Sequence, residues 1–263
     1  MNEKNNPLIS IIMGVRNGGS RIMDAIQSIE TQTYTNWEFI ICDDGSTDDT
    51  YSKLLEYAKD KQNYKIIQNK TNVGLAATLN HCIGYCSGEY IARMDDDDLS
   101  YPDRFKKQVE YLQLHPETAF LSSSADIFDG AKIVSQRILL QNPTKKDLVY
   151  GSRFIHPATM FRASALKAVG GYRVCKDTVR GQDYDLFMRL YGAGYFGANL
   201  TEPLFRYTQD KANFKRRTFK ARVGEMKIRI HGFKAMKVMH WAFPFVFKPL
   251  AAWGMDFLKN GRR

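Results

Sequence analysis

Strand-like and helix-like segments alternate along the first 95 residues, and this alternation constrains the fold more than any other feature. Short apolar runs of the kind that form buried strands lie at 8–14, 37–43, 64–69 and 89–95. Segments with helical periodicity separate them, at 21–33, 47–59 and 74–86. Chains that alternate in this way form a parallel sheet with right-handed crossovers and helices on its faces. We therefore predict an α/β fold with a mostly parallel, Rossmann-like sheet flanked by helices.

Four consecutive aspartates, Asp95 to Asp98, follow the fourth predicted strand directly. One interpretation is a solvated acidic turn in which Asp98 and Asp103 stabilise the start of a following helix at about Ser100. The other is a cation site. Alternate residues at a strand end, here Asp95 and Asp97, can aim two carboxylates at one point, and Mg²⁺ and Mn²⁺ prefer oxygen ligands. The spacing alone leaves both interpretations open.

A second acidic cluster, DDGSTDDT at 43–50, follows the second predicted strand. In parallel sheets ligands bind outside the carboxyl ends of the strands, which is where both clusters lie. Carboxylates beside a turn at Gly45 favour a nucleoside pocket, and a metal at the neighbouring strand end would suit a nucleoside diphosphate. Neither GxxxxGK[ST] nor GxGxxG occurs, so we expect the metal to hold the phosphates.

The chain resembles a known family through segments that occur in the family's order. These are SIIMGVRNGG, SIETQTYTNWEFIICDDGSTDDT, NVGLAATLNHCI, GEYIARMDDDD and GQDYDLFMRL. Over about residues 8–207 the chain is similar to family 2 glycosyltransferases with the GT-A fold. The resemblance implies an inverting enzyme that transfers a sugar from a nucleotide-diphosphate sugar, with a UDP-sugar favoured, to an acceptor hydroxyl. The QxxRW signature of processive members is absent, which favours transfer of a single sugar.

The resemblance also implies roles for individual residues. Asp183 would be the general base. Asp95 and Asp97, with Asp98 close by, would hold a divalent metal, Mn²⁺ or Mg²⁺, on the donor diphosphate. The residues implied to bind the nucleotide-sugar are Gly14, Asn17, Asp43, Asp44, Asn72, Arg93, Asp95 and Asp96.

Two positions depart from the family pattern. Gln182 stands where many relatives have a glutamate before the base, and Leu79 stands where many have a phosphate-binding arginine. We expect Arg93 or Arg104 to supply the missing positive charge.

The chemistry implied for Asp183 needs one carboxylate, because a leaving diphosphate requires no proton donor, unlike the alcohol released by a glycosidase. A structural interpretation competes with this role. In it Asp183 caps a helix and Asp185 pairs with Arg189 one turn later. His156 precedes Pro157 and either approaches the acceptor or is a satisfied loop histidine, with the second interpretation favoured.

The positive charge is concentrated in the last part of the chain. Residues 211–263 hold 14 Lys and Arg against two acids, a net charge of +12, whereas the preceding 210 residues carry −2. We therefore expect a catalytic domain over 1–210, with a nucleotide-sugar half at about 1–100 and an acceptor half at about 101–210. A basic, aromatic-rich helical extension would follow over 211–263, with an apolar stripe formed by Phe219, Val223, Met226 and Ile230.

The extension allows more than one interpretation. Its longest uncharged run is ten residues, shorter than the roughly 20 that a membrane-spanning helix needs. Aromatic residues flanked by lysines favour a helix in the interface of an anionic membrane. The alternatives are packing on the catalytic domain, or nucleic-acid binding, which the acidic ligand-binding end of the body argues against.

We accordingly expect no nucleic-acid partner and a glycan or lipid-linked acceptor at the cytoplasmic face of a membrane. Cytosolic placement agrees with four unclustered cysteines and with a polar start that lacks a signal peptide. A nucleotide-sugar-binding protein without turnover is the main alternative function, and a sugar nucleotidyltransferase is a weaker one.

Overall fold

The computed structural model describes residues 6–209 and 219–252. The predicted alternation of strands and helices is confirmed in its first part. The elements there are β1 Ile9–Val15, α1 Arg21–Glu30, β2 Trp37–Asp43, α2 Thr50–Ala58, β3 Tyr64–Gln68, α3 Leu75–Ile83 and β4 Tyr90–Arg93.

Further elements follow β4. They are β5 Leu99–Ser100, α4 Arg104–Leu114, β6 Thr118–Phe128, β7 Ile133–Arg137, α5 Lys145–Tyr150, a 3-10 turn at His156–Ala158, β8 Met160–Arg162, α6 Ala163–Ala168, α7 Gln182–Gly192 and β9 Phe196–Thr208. The carboxy-terminal part contains α8 Phe219–Ala235, α9 Met239–Ala242 and a 3-10 turn at Phe243–Phe247.

One sheet with the strand order β3-β2-β1-β4-β8-β6-β9-β5 runs through the molecule, and β7 pairs with β6. The strands from β3 to β4 are parallel, as predicted. Antiparallel pairs enter through β8, β7 and β5, so the sheet as a whole is mixed. The helical segments that separate the first four strands give no indication of these pairs. The β4–β8, β6–β8 and β5–β9 pairs join strands that are distant in sequence, whereas β6 and β7 form a local hairpin.

Helices cover both faces of the sheet and enclose two apolar cores. On one face α1 and α4 contribute Ile22, Ile26, Phe105 and Val109. On the other, α3 and α7 contribute Leu79, Cys82, Phe187 and Leu190. Each helix buries a stripe at helical spacing, and burial of these side chains drives the helices onto the sheet.

Two predicted helix starts differ from the structure. The helix expected from Thr47 begins at Thr50, because the Thr47 amide donates to Asn17 Oδ1 at 2.9 Å across the site. The helix expected from about Ser100 begins at Arg104, because Ser100 pairs with Phe205 in β9. Asp103 occupies the N-cap position but accepts a hydrogen bond from Thr33 rather than from the helix.

The described part of the basic extension packs on the preceding part of the chain through α8. Gly232 lies against Met188 of α7, and Gly192 of α7 lies against Ala235. Ile228 is fully buried, whereas Phe219, part of the predicted stripe, is half exposed. The predicted stripe is therefore wrong in part, because close helix contacts at glycines determine which face of α8 is buried. Among the described residues no helix is both long enough and apolar enough to cross a membrane.

Candidate active site

The carboxyl ends of β1 and β2 meet the loop before α3 around a cavity of about 180 Å³. The cavity is lined in part by Gly14, Asp44 and Asn72, three of the residues predicted to bind the nucleotide. Gly14 allows α3 to approach, because a Cβ there would lie 3.0 Å from Thr78 Cγ2 and 3.2 Å from Leu75 Cδ1. The structure thus brings these predicted residues together in one pocket.

Asp44 is oriented by the loop that faces it. Its carboxylate accepts hydrogen bonds at 2.9 Å from the amides of Val73 and Gly74 and from the Asn69 side chain. Asp43 is fully buried beneath the Gly45 turn, where its Oδ2 accepts from the Ser46 amide at 3.1 Å. Asp44 therefore lines the pocket, whereas Asp43 is buried behind it and stabilises the turn at Gly45.

Asn17 connects the two loops at the pocket edge rather than lining the cavity. Its side-chain Oδ1 accepts a hydrogen bond from the Thr47 backbone amide, and its backbone amide donates to the Ser46 hydroxyl at 2.9 Å. Its φ of 55° lies in the left-handed region, which asparagine tolerates better than most residues. Asn17 therefore fixes the shape of the turn.

Three of the four aspartates converge after β4. One carboxylate oxygen from each of Asp95, Asp97 and Asp98 lies within 4.8 Å of the others. Oxygen ligands at this separation suit a hard divalent cation. The Asp96 side chain points elsewhere, since its Oδ2 is 3.4 Å from the position that a Cβ on Gly18 would occupy.

Asp98 carries the clearest sign of a missing partner. Its Oδ1 accepts from the Thr208 amide at 2.7 Å, while its buried Oδ2 has no hydrogen-bond partner among the described residues. The suggestion that Asp98 stabilises the start of the next helix is therefore wrong: its bound oxygen faces β9. A bound cation would satisfy the remaining oxygen.

The negative charges of the aspartates in the cluster repel one another. Burial is the main cause that raises the pKa values of Asp97 and Asp98, and the negative charge of Asp95 adds to it. Burial likewise raises the pKa of Asp96 to about 7, with further contributions from Asp95 and Asp97. A divalent cation would relieve this repulsion, so the residues present fit a metal.

Arg93 is one of the positive charges near the cluster, together with Arg21 and Arg104. It is fully buried and forms an ion pair with Asp95. Arg104, the other arginine considered, is also buried, but its Nη2 donates to the Arg93 carbonyl at 2.9 Å and its Nε to Gln108 at 3.1 Å. Leu79 is fully buried in the core. Arg93 thus contacts the acidic cluster directly, whereas the Arg104 guanidinium is held by Gln108 and by the Arg93 carbonyl.

Asp183 is the second residue of α7, which begins after Gly181 in the left-handed conformation with φ of 82°. Burial raises the pKa of its carboxyl and the charge of Asp95 adds to this, while hydrogen bonds from backbone amides lower it. A carboxylate with a raised pKa is a better proton acceptor, as a general base requires. Asp183 does not occupy the N-cap position, so the capping interpretation is wrong.

Asp185 has the structural role that was considered for it. Its carboxylate accepts from Arg189 at 2.8 Å and from Arg173 at 2.6 Å. The two acidic residues of the GQDYDL segment thus face different surroundings, and only Asp183 lies in a cleft.

The structure shows contacts around the site whose partners the sequence does not indicate. His156 is buried, with its Nε2 2.6 Å from the Tyr172 hydroxyl, which agrees with a satisfied histidine. Thr208 holds the acidic loop through both its amide and its hydroxyl, which donates to the Asp97 carbonyl at 2.5 Å. Gln32 lies in one of the segments that carry the family resemblance, but no role was predicted for it. Its Nε2 donates to the Tyr101 carbonyl at 2.8 Å. These contacts join residues far apart in sequence.

Known proteins agree with this architecture. Residues 10–170 match the family described as Glycosyl transferase family 2. The chain is 38% identical over 245 residues to the putative glycosyltransferase EpsE of Bacillus subtilis, covering 93% of this chain and 88% of that protein. It is 26% identical over 243 residues to an Escherichia coli UDP-Gal:alpha-D-GlcNAc-diphosphoundecaprenol beta-1,3-galactosyltransferase, covering 90% of this chain and 87% of that protein.

Solved structures match at the level of the fold. S. aureus TarS in complex with UDP-GlcNAc superposes with a TM-score of 0.71 at 17% identity, covering 91% of this chain and 74% of that one. The mannosyltransferase PcManGT from Pyrobaculum calidifontis, in complex with GDP-Man and Mn²⁺, gives 0.61 at 19% identity, covering 98% and 80%. The fold is thus the GT-A fold, and the match to the family over 10–170 gives its identity: this chain belongs to glycosyl transferase family 2 and is a glycosyltransferase.

Proposed function

We propose that this glycosyltransferase depends on a divalent metal, inverts the anomeric centre and transfers one sugar from a nucleotide-diphosphate sugar to a lipid-linked acceptor. The observation that carries the proposal is the convergence of Asp95, Asp97 and Asp98, with an unpartnered Asp98 oxygen among the described residues, near the cavity lined by Gly14 and Asp44. The galactosyltransferase relative is named for a diphosphoundecaprenol acceptor, and the mannosyltransferase structure contains Mn²⁺. Both names support the proposal.

The residues divide the reaction between them. Asp95, Asp97 and Asp98 would hold Mn²⁺ or Mg²⁺, which neutralises the charge that grows on the departing diphosphate. Asp44 and Asn72 would bind the nucleoside in the cavity. Arg93 holds Asp95 in position through their ion pair.

The proton of the acceptor hydroxyl would pass to Asp183. The acceptor oxygen then forms a bond to the anomeric carbon as the bond from that carbon to the diphosphate oxygen breaks. Attack opposite the leaving group inverts the configuration in one step. The raised pKa of Asp183 favours its action as the base.

Titration calorimetry with UDP, dTDP, GDP and ADP tests the donor site, each measured with Mn²⁺ and again with EDTA. We expect one diphosphate, with UDP favoured, to bind with Mn²⁺ and to lose its affinity on chelation. Binding that EDTA does not change would contradict metal dependence. Analysis of the product anomer by NMR then tests inversion.

We also propose peripheral attachment to the cytoplasmic face of a membrane through residues 211–263. Within the described residues, Phe243 and Phe247 are about half exposed and Trp241 is 36% exposed. Exposed aromatic side chains in a basic segment favour an anionic interface. Sedimentation with phosphatidylglycerol vesicles tests this: the double variant Phe243→Ser, Phe247→Ser should bind them more weakly than the wild type.

A further inference from the structure

A second cleft, of about 390 Å³, lies between the start of α7 and the extension helix α8. Asp183, the proposed base, is one of its lining residues. Arg180 enters from the loop before α7, and Arg222 and Arg229 enter from α8. The donor-binding acids lie elsewhere, so the mechanism proposed above leaves these arginines without a role.

Of these three arginines, Arg229 is only weakly neutralised within the described structure. Glu225 lies between two of them, with its carboxylate 3.5 Å from Arg222 Nη1 and 3.6 Å from Arg229 Nη2. Charge-assisted hydrogen bonds between a guanidinium and a carboxylate are normally about 2.7–2.9 Å long. The Glu225 side chain is 36% exposed and is free to turn toward solvent. An anionic ligand can therefore replace it.

Arg229 gives a second, independent indication. It is 3% exposed, and its Nη1 donates to the Val149 carbonyl at 2.9 Å. Its buried Nε has no hydrogen-bond partner in the described part of the chain. A buried guanidinium with an unsatisfied donor costs free energy unless a ligand compensates it.

The position of the cleft indicates which kind of anion would bind there. The donor diphosphate belongs with the acidic cluster, so a second anion beside Asp183 belongs to the acceptor. Asp183 must contact the acceptor hydroxyl, and the arginines surround the same space. The acceptor therefore carries its negative charge close to the sugar that receives the new bond, as a sugar diphosphate does.

The segment after α8 is continuous with the cleft wall. Arg229 Nη1 is 3.4 Å from the Phe245 carbonyl, and the Phe245 ring packs on Tyr150 with centroids 4.9 Å apart. Tyr150 precedes Gly151, a lining residue of the cleft. The exposed rings of Phe243 and Phe247 belong to this segment and are suited to a hydrocarbon chain.

We propose that Arg180, Arg222 and Arg229 form a site for the diphosphate of a lipid-linked sugar acceptor, with Glu225 displaced on binding. The assignment rests on the proposed function and extends it by locating the acceptor. Guanidinium groups bind phosphate oxygens in a paired geometry, which gives the site both affinity and orientation. The extension helix then serves the reaction directly, in addition to any contact with a membrane.

The test is titration calorimetry with decyl diphosphate in EDTA, so that the acidic cluster cannot bind the probe through a metal. We expect the wild type to bind, and Arg180→Gln and Arg222→Gln each to lose about tenfold or more in affinity. Glu225→Gln should tighten binding by removing a competing carboxylate. Lys234→Gln, the same charge change on an exposed residue of α8, is the matched control and should leave the affinity within about twofold.

Since Arg222 is buried, its variant is checked by circular dichroism, and the exposed Arg180 keeps the test valid if Arg222→Gln misfolds. Equal affinity in the wild type and in Arg180→Gln and Arg222→Gln would overturn the proposal. A second result would also overturn it. If Arg180→Gln and Arg222→Gln weaken the binding of phosphatidylglycerol vesicles as much as that of decyl diphosphate, the cleft binds phospholipid headgroups.

A transfer assay separates this proposal from the proposed function. Sugar transfer with unchanged KM for a diphosphate acceptor in Arg180→Gln would overturn the cleft assignment and retain the glycosyltransferase mechanism. Arginine-dependent binding of decyl diphosphate without any metal-dependent donor binding would instead retain the anion site and overturn the proposed donor chemistry.

Discussion

The amino-terminal half of the sheet, residues 9–93, and the carboxy-terminal half, residues 99–208, are assembled from contacts of different range. In the first half α1 and α2 each join strands that are parallel neighbours, and α3 carries the chain from β3 past β2 and β1 to β4, so the loops around Asp44 and Gly14 arise from local βα units. In the second half β5 pairs with β9, which closes a long excursion of the chain. The extension helix α8 then packs on α7 from outside both halves.

The two halves of the sheet contribute different parts of the proposed active site. The nucleotide pocket is lined by residues of the first half, whereas Asp183 and the arginine cleft belong to the second half and to α8. The acidic cluster lies at the boundary, held from the second half by Thr208. Donor binding and sugar transfer should therefore respond differently to substitutions in the two halves.

Asp183→Asn is expected to separate sugar transfer from donor binding by the largest factor. The amide cannot accept the acceptor proton, so we expect kcat to fall by about two to four orders of magnitude. Affinity for the donor diphosphate with Mn²⁺ should stay within about twofold, because Asp183 lies outside the nucleotide cavity. Steady-state kinetics and calorimetry on the same preparation check both parts.

Asp177→Asn makes the same chemical change on a nearby loop of the second half and is the control. Its carboxylate pairs with Lys227 at 3.0 Å and is absent from the lining of the cleft. An Asp183→Asn enzyme with wild-type turnover would remove Asp183 from the mechanism. Turnover absent from both Asp183→Asn and the wild type, with donor binding intact, would favour a binding protein.

Asp98→Asn tests the boundary between the halves. The amide retains an oxygen for the Thr208 amide but removes the charge that a divalent cation requires. Substitution of a residue that only positions a metal ligand costs about 10–100-fold in metal affinity, and loss of a direct ligand should cost at least as much. We expect donor binding with Mn²⁺ to weaken by that factor and binding in EDTA to be unchanged. Mn²⁺ affinity equal to the wild type would exclude Asp98 as a ligand.

The same division explains which features the sequence reveals. The first four strands, the acidic cluster at 43–50 and the Asp95–Asp97 pair follow from periodicity and from their positions at strand ends, whereas the roles of Gly14 and Asp44 came from the resemblance. These signals are local, so one strand and its loop are sufficient to predict them. The GT-A assignment, in contrast, came from the resemblance.

Features that depend on distant residues could not be predicted in this way. Asp98 was considered as a helix-capping residue because the partner of its Oδ1, Thr208, lies far along the chain. No individual role was predicted for Arg222 or Arg229 because the helix face that packs on α7 was not known. That face is determined by Gly192 and Gly232, and no periodic pattern of apolar residues indicates it.

A smaller effect is expected when the packing of α8 is disturbed without changing any charge. A Cβ on Gly192 would lie 2.7 Å from the Ala235 carbonyl oxygen, a backbone atom that has little room to move. Gly192→Ala should lower the free energy of unfolding by about 1–3 kcal/mol, as overpacking commonly does. Urea denaturation measures this loss, and donor affinity should be retained.

Gly84→Ala in the first half is the matched control. Its φ of −62° suits alanine, and the nearest atom to the new Cβ would be 3.3 Å away. We expect a smaller loss of stability there. A Gly192→Ala variant that weakens donor binding as much as transfer would show that the two halves are coupled more tightly than their contacts indicate.

The smallest effect concerns His156, which lies between the halves beside the fully buried Arg93. Burial lowers the pKa of His156 well below its usual value, and the positive charge of Arg93 adds to this. The folded protein then binds fewer protons at this site than the unfolded chain, whose histidine titrates near 6.5. The stabilising contribution is present above about pH 6.5 and is lost as the pH falls below it.

His156→Gln removes this titration and retains a polar group near the Tyr172 hydroxyl. Between pH 7.5 and 5.5 we expect the wild type to lose about 1 kcal/mol more of its free energy of unfolding than the variant. Urea denaturation of both proteins at both pH values measures this difference. The wild type and the variant both contain the acidic cluster, so its titration cancels when their losses are compared. Equal losses in the two proteins would mean that His156 is protonated in the folded state. Its Nε2 would then have to donate to Tyr172, and the neutral, structural histidine inferred from its burial would be wrong.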